Sequence, residues 1–189
     1  MTRVLGGLLA LAFTLLLLVG MGFAGAYQYL AAEIPDAATL RDVKTQLPLR
    51  VYSRDGRLIA QIGEQRRIPV TFEQIPATVI EAFLAAEDAR FYQHPGVDWQ
   101  GLVRALIANV SAGGVREGGG TITMQLARNT VLTSERTLRR KLKEVFLALR
   151  LEREISKQEI LALYLNRIFL GQRAYGIGAA AEVYFDKSV

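Results

Sequence analysis

The first thirty positions form one continuous hydrophobic stretch. No charged residue lies between Arg3 and Glu33, and the run from Val4 to Phe23 is almost entirely Leu, Ala, Val, Gly and Phe. A helix of about twenty residues spans roughly 30 Å, which is the thickness of the hydrocarbon core of a bilayer. The pattern therefore predicts a transmembrane anchor at residues 4–30.

The charges that flank this anchor predict its orientation. Arg3 and the amino terminus are the nearby positive charges, and the cytoplasmic flank of a membrane helix is enriched in Lys and Arg. Residues 1–3 are therefore predicted to be a cytoplasmic tip, with everything after Glu33 outside. A cleaved signal peptide is the alternative, because Ala24-Gly25-Ala26 fits a cleavage site. Against it, the apolar run is longer than the ~7–15 residues of a typical signal core.

Beyond the anchor the pattern changes twice. Residues 31–48 predict a juxtamembrane linker, and residues 49–70 predict β-structure. Within the second segment, Val51–Ser53 and Leu58–Ile62 flank Asp55-Gly56, a dipeptide that favours a two-residue hairpin turn. We therefore expect a β-hairpin here.

After the hairpin, apolar residues recur with the period of an α-helix. The predicted helices cover residues 76–89, 99–110, 121–129, 134–154 and 157–170. Ser156 and Glu159 form a capping box for the last of these helices, which Gly171 is expected to end. The glycines of segment 111–120 make a helix or strand costly there and predict a loop.

Composition adds limits to this picture. The 189 residues suffice for one domain plus an appendage, and we predict that residues 49–189 form a mainly α domain with one small β-hairpin element. The chain has no cysteine and a single histidine, which excludes disulfides, thiolate metal sites and a His–Cys zinc site. The net charge of +5 suits anionic lipid head groups and equally suits an ordinary solvated surface.

Glu87 is the first candidate for chemistry. It falls near the centre of a helical stripe with three apolar residues, Ile80, Phe83 and Leu84. Burial on such a face, one turn from a helix C-terminus, would raise the pKa of a carboxyl group toward the range that a general base or acid uses. A structural glutamate paired with Arg90 or Arg104 is the alternative, and the stripe alone leaves both open.

The glycine-rich segment leads directly into a helix that begins at Thr121. Backbone N–H groups at such a helix start favour phosphate or pyrophosphate, and Thr121, Gln125 and Arg128 share one face of the helix. No Gly-Lys-Ser/Thr follows the glycines, so the segment is not a nucleoside triphosphate loop. A diphosphate cleft and an ordinary solvated helix face both fit this pattern.

A basic cluster and the single histidine complete the candidates. Arg140 and Lys141 are spaced to pair with Glu144 on one helix surface. Exposed ion pairs contribute only about 0.3–0.5 kcal/mol to stability, so stability alone explains little of this cluster. The cluster is either a surface pair or an acid held among cations that bind phosphate. His94 lies in the turn Gln93-His94-Pro95-Gly96, where a hydrogen-bonding role in the turn is the simpler interpretation.

In their order along the chain, these segments resemble the motifs of glycosyltransferase family 51, the peptidoglycan polymerases. Glu87 to Gly96 is similar to Glu-Asp-x-x-Phe-x-x-His-x-Gly, and Gly118 to Asn129 to Gly-Gly-Ser-Thr-Ile-Thr-x-Gln-Leu-x-Lys-Asn. Arg140-Lys141-x-x-Glu144, Lys157 to Asn166 and the segment from Ala180 to Lys187 resemble the third, fourth and fifth motifs.

The sequence departs from the family pattern at three positions. Gly120 stands where Ser is frequent, Arg128 where Lys is common, and Asp186 where Gly is common. Arg128 keeps the charge but presents it as a planar fork. The resemblance also implies that residues 49–189 stop inside the family's domain, short of its closing helices, as in the N-terminal part of a class A penicillin-binding protein.

The resemblance implies a lysozyme-like α fold and the polymerisation of lipid II. Glu87 would take the proton from the 4-hydroxyl of the incoming sugar, which attacks the anomeric carbon of the lipid-linked chain. A β-1,4 bond forms with inversion, and undecaprenyl pyrophosphate leaves. A lysozyme-like lytic transglycosylase or muramidase, and an inactive membrane-tethered fragment, are the alternatives.

The resemblance also implies a role for each matching residue. Glu87 and Glu144 are the catalytic candidates, and Glu144 is a candidate ligand for a divalent cation such as Mg or Mn at the pyrophosphate. The pyrophosphate-binding candidates are Thr121, Gln125, Arg128, Arg140 and Lys141. The supporting candidates are Asp88, Phe91, His94, Gly96 and Asn166.

The implied partners are lipid II, the growing lipid-linked glycan, membrane lipid and other cell-wall synthesis proteins, with no nucleic acid. The implied location is the bacterial cytoplasmic membrane, crossed once, with the catalytic domain outside the cell.

Overall fold

A computed structural model describes residues 2–31, 33–34, 49–62, 66–114, 118–131 and 137–189. The chain divides into two units, Met1–Pro35 and Asp36–Val189, and each is described by itself. Most of the predicted linker at 31–48 lies outside the described residues.

The first unit is one long helix, α1, at Thr2–Ala31. Its segment Gly6–Leu30 has a mean hydropathy of 2.3 and is long and apolar enough to cross a membrane. Leucine and valine side chains from Leu8 to Val19 are exposed, as expected of a helix whose apolar surface faces lipid. A helix at the predicted position is thus confirmed; the same length and composition also fit a signal sequence.

The second unit begins with the predicted hairpin. Strand β1 at Leu49–Tyr52 pairs antiparallel with β2 at Leu58–Ile62, with Leu49 opposite Ile62. Gly56 in the connecting turn has φ +80°, a conformation that glycine adopts without strain. The Asp55-Gly56 signal therefore predicted the hairpin correctly.

A second, small sheet was not predicted from the sequence. Strand β3 at Arg66–Arg67 pairs in parallel with β4 at Ala174–Tyr175. The segment after the hairpin therefore lies beside a segment near the end of the unit. A two-residue strand carries no periodic signal, which is why the pattern of apolar residues did not reveal it.

The remaining described elements of this unit are helical. They are α2 at Ala77–Glu87, α3 at Trp99–Ala112, α4 at Ile122–Val131, α5 at Leu138–Glu154, α6 at Lys157–Leu165 and α7 at Ile177–Phe185, with short 3-10 helices at Phe72–Gln74 and Phe91–Gln93. Four of the described helix starts are capped by side chains that accept a backbone N–H, those of Asp98, Thr121, Thr137 and Ser156. The predicted cap at Ser156 is therefore confirmed.

The end predicted for the helix that begins at Lys157, at residue 170, is wrong. Helix α6 ends at Leu165, and the side chain of the next residue, Asn166, accepts a bond from the Val70 N–H at 2.9 Å and donates to the Val70 carbonyl at 2.8 Å. These bonds tie the chain to a segment 96 residues earlier at the point where the helix ends. Gly171, the expected stop, instead has φ +89° in the turn before β4.

Helix α4 lies at the centre of the core. It packs against α5 and α6, and four of its apolar side chains are fully buried: Ile122, Met124, Leu126 and Ala127. Burial of a side chain of this size contributes about 1.5–3 kcal/mol relative to exposure. The position of α4 is therefore determined by apolar contacts on most of its circumference, which leaves a narrow polar face.

A buried polar network joins the helices around α4. The hydroxyl of Thr123 donates to Glu152 Oε1 at 2.6 Å, and Lys157 Nζ donates to the same oxygen at 2.9 Å. Lys157 also donates to the carbonyl oxygen of His94 at 2.8 Å. One carboxylate and one ammonium thus link α4, α5, α6 and the turn that contains the histidine.

We expect Gly96→Ala to destabilise the chain by about 2 kcal/mol or more. Gly96 has φ +92°, and an added Cβ would lie 2.8 Å from the carbonyl oxygen of Ala148. Denaturant unfolding of the detergent-solubilised chain measures the effect. The control is Gly113→Ala, where φ is +66° but no atom lies within 4 Å of the new Cβ, so only the backbone cost of about 1–2 kcal/mol applies. Losses of equal size in the two variants would contradict the close approach of α5 to Gly96.

Candidate active site

Glu87 is the last residue of α2 and its side chain is exposed. The prediction that an apolar stripe buries this carboxylate is wrong, since none of the residues of α2, all of which are described, is buried. Phe83 and Leu84 are half-buried. One carboxylate oxygen, Oε2, accepts a hydrogen bond from Gln125 Nε2 at 2.7 Å. The structure therefore holds Glu87 by a hydrogen bond, where the sequence analysis expected burial.

Arg90 is engaged elsewhere. Its guanidinium forms an ion pair with Asp98 and a hydrogen bond to Gln100, so it is not the structural partner of Glu87 that the sequence left open. The bond from Arg90 holds the pKa of Asp98 below its usual value, against an opposing effect of burial. Asp98 in turn caps α3 by accepting the N–H of Gly101 at 2.9 Å.

Asp88 follows Glu87 and is buried. Its carboxylate accepts from His94 Nε2, at 3.0 and 3.1 Å to the two oxygens, and from the backbone N–H of Ile122 at 3.1 Å. A buried carboxylate thus lies at the N-terminus of α4, where the helix dipole favours negative charge. The Ile122 N–H at this helix start is therefore already bonded to the protein's own carboxylate, while the pyrophosphate site predicted here stays a prediction.

Thr121 is also used internally. Its side chain is buried, its hydroxyl donates to the Gly96 carbonyl at 2.6 Å, and the same oxygen accepts the N–H of Met124 at 3.2 Å. A hydroxyl that has already donated its proton has none to give a phosphate oxygen. The pyrophosphate-binding role predicted for the Thr121 side chain does not fit this arrangement.

Phe91 and His94 shape the turn between α2 and α3. Phe91 is buried, and its ring meets that of His94 edge-to-face at 6.3 Å between centroids. The ammonium of Lys157 lies 4.2 Å from the Phe91 ring centroid while donating to the His94 carbonyl. Together with Gly96, these residues hold the chain in the path that brings Asp88 under α4.

Gln125 and Arg128 occupy the polar face of α4. Gln125 is half-buried and lies between the Glu87 carboxylate and the phenol of Tyr164, whose hydroxyl is 3.4 Å from Gln125 Oε1. Burial raises the pKa of Tyr164, the charge of Glu87 raises it further and that of Arg128 lowers it. The acid and the cation therefore act on the same phenol.

The sequence analysis missed Tyr164. It lies on α6 among the apolar residues Leu161 and Leu165, so its position in the pattern indicates only core. The available signal was chemical, because a buried tyrosine needs a partner for its hydroxyl.

Glu144 is 2% exposed and lies between two cations. Arg140 Nη1 is 2.6 Å from one of its oxygens and Lys141 Nζ is 3.1 Å from the other. The alternative of an exposed surface pair is therefore wrong, since the carboxylate is buried. The three charges sum to one positive charge, which faces outward through Arg140, half-buried, and Lys141, more exposed.

A divalent cation does not fit Glu144 as it stands. Both carboxylate oxygens are already bound by Arg140 and Lys141, and a metal ion would have to displace them. Among the residues that the structure describes, no group of three or more His, Asp or Glu side chains gathers in the manner of a metal site.

A cleft of about 280 Å³ lies beside Glu87 and is lined by the end of α2, by α3 and by the last glycines of the loop. Its lining includes the charged residues Glu87, Arg90 and Arg104 and the glycines Gly118 to Gly120. Residues 115–117 of the predicted phosphate-binding loop lie outside the described residues. The glycines expose backbone here, and Glu87 is positioned on the wall of an open cleft.

We expect Asp88→Asn to lower the free energy of unfolding by about 1–3 kcal/mol. The amide keeps the shape but places an N–H₂ group against either the Ile122 N–H or His94, so a buried donor loses its acceptor. Thermal unfolding measures the change. Asp55→Asn, in the exposed hairpin turn, is the control and should change stability by less than about 0.5 kcal/mol. Equal unfolding midpoints for the two variants would exclude a structural role for the buried carboxylate.

Comparison with known proteins identifies the family. Residues 55–189 match the family model described as transglycosylase. The chain is 55% identical to penicillin-binding protein 1A of Escherichia coli over 181 residues, which cover 96% of this chain and 21% of that protein. It is 50% identical to penicillin-binding protein 1A of Pseudomonas aeruginosa (93% and 21% covered) and 46% identical to penicillin-binding protein 1A/1B of Bacillus subtilis (92% and 19% covered).

Among solved structures, the crystal structure of penicillin-binding protein 1A from Haemophilus influenzae aligns with 77% of this chain and 12% of that chain, at 32% identity and a TM-score of 0.35. The chain spans about a fifth of the length of the curated relatives it matches. With more than half of its residues matched by the family model, the chain belongs to the transglycosylase family.

Proposed function

We propose that this chain is the peptidoglycan glycosyltransferase part of a larger cell-wall synthase. It polymerises lipid II into β-1,4-linked glycan with inversion and releases undecaprenyl pyrophosphate. The observation that carries the proposal is the Glu87 carboxylate, held by Gln125 on the wall of an open cleft, with Arg128 on the same helix as Gln125. Membership of the transglycosylase family supports it.

Glu87 acts as the general base in this proposal. The oxygen that is not bonded to Gln125 takes the proton from the 4-hydroxyl of the acceptor sugar, and the sugar oxygen attacks the anomeric carbon of the donor. Because the free carboxylate is exposed, its desolvation has to come from the bound glycan, which would exclude water from the cleft when it binds.

Cations stabilise the leaving pyrophosphate. Arg128 lies on the exposed face of α4, and Arg140 and Lys141 project from α5, which packs against α4. Glu144 holds these two side chains by ion pairs, and the three groups together carry one net positive charge that can act on the ligand. Arginine binds phosphate oxygens through two parallel N–H bonds, so the two arginines provide both charge and orientation.

The membrane helix fits lipid-linked substrates. A domain tethered by α1 stays at the leaflet where lipid II and the growing glycan reside, and we propose the orientation with the N-terminus in the cytoplasm. Membrane lipid and other cell-wall synthesis proteins complete the proposed partners, and nucleic acid has no part in the proposal. No step in this mechanism passes through a metal ion, and the divalent cation expected at the pyrophosphate stays a prediction.

We expect Glu87→Gln to reduce polymerisation of lipid II by the full-length protein by about 10²–10⁴-fold, because the amide cannot accept the proton. The length of glycan formed from labelled lipid II is the measurement. Glu81→Gln, an exposed position on the same helix, should polymerise at the parental rate with the same melting temperature. A parental rate for Glu87→Gln would refute the assignment of the base. Cleavage of purified sacculi without elongation of lipid II would instead indicate a lytic enzyme.

Replacing Arg140 tests the cation cluster. We expect Arg140→Ala to weaken the binding of lipid II by about tenfold, which corresponds to about 1.4 kcal/mol. Arg153→Ala, on an exposed part of the same helix, serves as the control. Binding measured by fluorescence anisotropy at matched thermal stability separates a lost contact from a damaged fold, and unchanged affinity in Arg140→Ala would remove this residue from the site.

A further inference from the structure

Tyr164 is a buried polar side chain beside the proposed base that the mechanism does not use. It is 1% exposed, and its ring meets that of Phe83 edge-to-face at 6.5 Å between centroids. Its hydroxyl is 3.4 Å from Gln125 Oε1, while Gln125 Nε2 is 2.7 Å from Glu87 Oε2. The three side chains form one line of hydrogen bonds from the core to the cleft.

The direction of this line follows from the chemistry of its two ends. The Glu87 carboxylate only accepts hydrogen bonds, so the Gln125 atom that faces it has to be the N–H₂ group. That places the amide oxygen of Gln125 toward Tyr164, and an amide oxygen requires a donor. The phenol O–H meets that requirement.

Tyr164 is well suited to remain a donor. Burial raises its pKa, the negative charge of Glu87 raises it further, and only Arg128 acts in the opposite direction. The phenol therefore keeps its proton at the pH values at which enzymes work. A deprotonated phenol would face the amide oxygen and destabilise the arrangement.

We propose that Tyr164 is a positioning residue, whose hydroxyl fixes the Gln125 amide in the orientation that donates to Glu87. The inference rests on the proposed function of Glu87 as the base. Without the hydroxyl, the amide can turn over and present its oxygen to the carboxylate. Glu87 then loses both its orientation and a hydrogen bond from the amide.

Tyr164→Phe in the full-length protein tests the proposal, because it removes only the hydroxyl and keeps the ring against Phe83. We expect kcat for lipid II polymerisation to fall about tenfold with KM within about twofold. The control is Tyr184→Phe. The Tyr184 hydroxyl donates to the Leu170 carbonyl and is not part of the line of hydrogen bonds to Glu87. This variant should keep the parental kcat and KM.

A double-mutant cycle separates positioning from packing. In a Gln125→Ala background, Tyr164→Phe should have no further effect on kcat, because the amide it orients is gone. Gln125→Asn breaks the line from the other side while Tyr164 stays in the core, and it should lower kcat to a similar extent with KM little changed. This variant decides the matter if Tyr164→Phe fails to fold.

The outcomes distinguish this inference from the proposed function. A parental kcat in Tyr164→Phe overturns the positioning role. So does a loss of kcat from Tyr164→Phe that is equal in the parental and Gln125→Ala backgrounds. If Glu87→Gln is inactive in the same assays, the base assignment survives that result. If Glu87→Gln is fully active, the proposed function itself fails.

Discussion

The rest of the site depends on one buried carboxylate, that of Asp88. It accepts the Ile122 N–H at the start of α4 and binds His94 Nε2, so it joins the end of α2 to the helix at the centre of the core. Hydrogen bonds to a charged group are worth about 1.5–3 kcal/mol each, and more is lost when a buried partner is left unsatisfied. Because Glu87 precedes Asp88, the same bond places the candidate base beside Gln125.

Helix α4 connects stability to chemistry. Its apolar residues and the Thr123–Glu152–Lys157 network hold it against α5 and α6, so its position tolerates little change. The narrow face left over carries Gln125 and Arg128, one toward the base and the other available to an anion. A rigid, buried helix thus sets the spacing between Gln125, which bonds the proposed base, and Arg128, the proposed contact for the leaving group, as a site that must be preorganised requires.

Local patterns predicted the hairpin and helices α1 to α6 but not β3, β4 or α7, and tertiary contacts decided the site. The Asp55-Gly56 turn, the cap at Ser156 and the periodic helices were all visible in the sequence. The exposure of Glu87, the carboxylate that fills the start of α4 and the end of α6 at Leu165 were not. Each depends on partners far apart in the chain, 34 residues for Asp88 and Ile122 and 96 for Val70 and Asn166. Periodicity has no information at such separations.

Amide hydrogen exchange at Ile122 tests the central claim most directly. The N–H of a first helical residue normally has no partner within its own helix and exchanges with water quickly. If the Asp88 carboxylate accepts this N–H in solution, Ile122 should be protected as strongly as Leu126 in the middle of α4. Exchange of Ile122 at the rate of an exposed loop amide, with Leu126 still protected, would show that the buried carboxylate does not hold the site together.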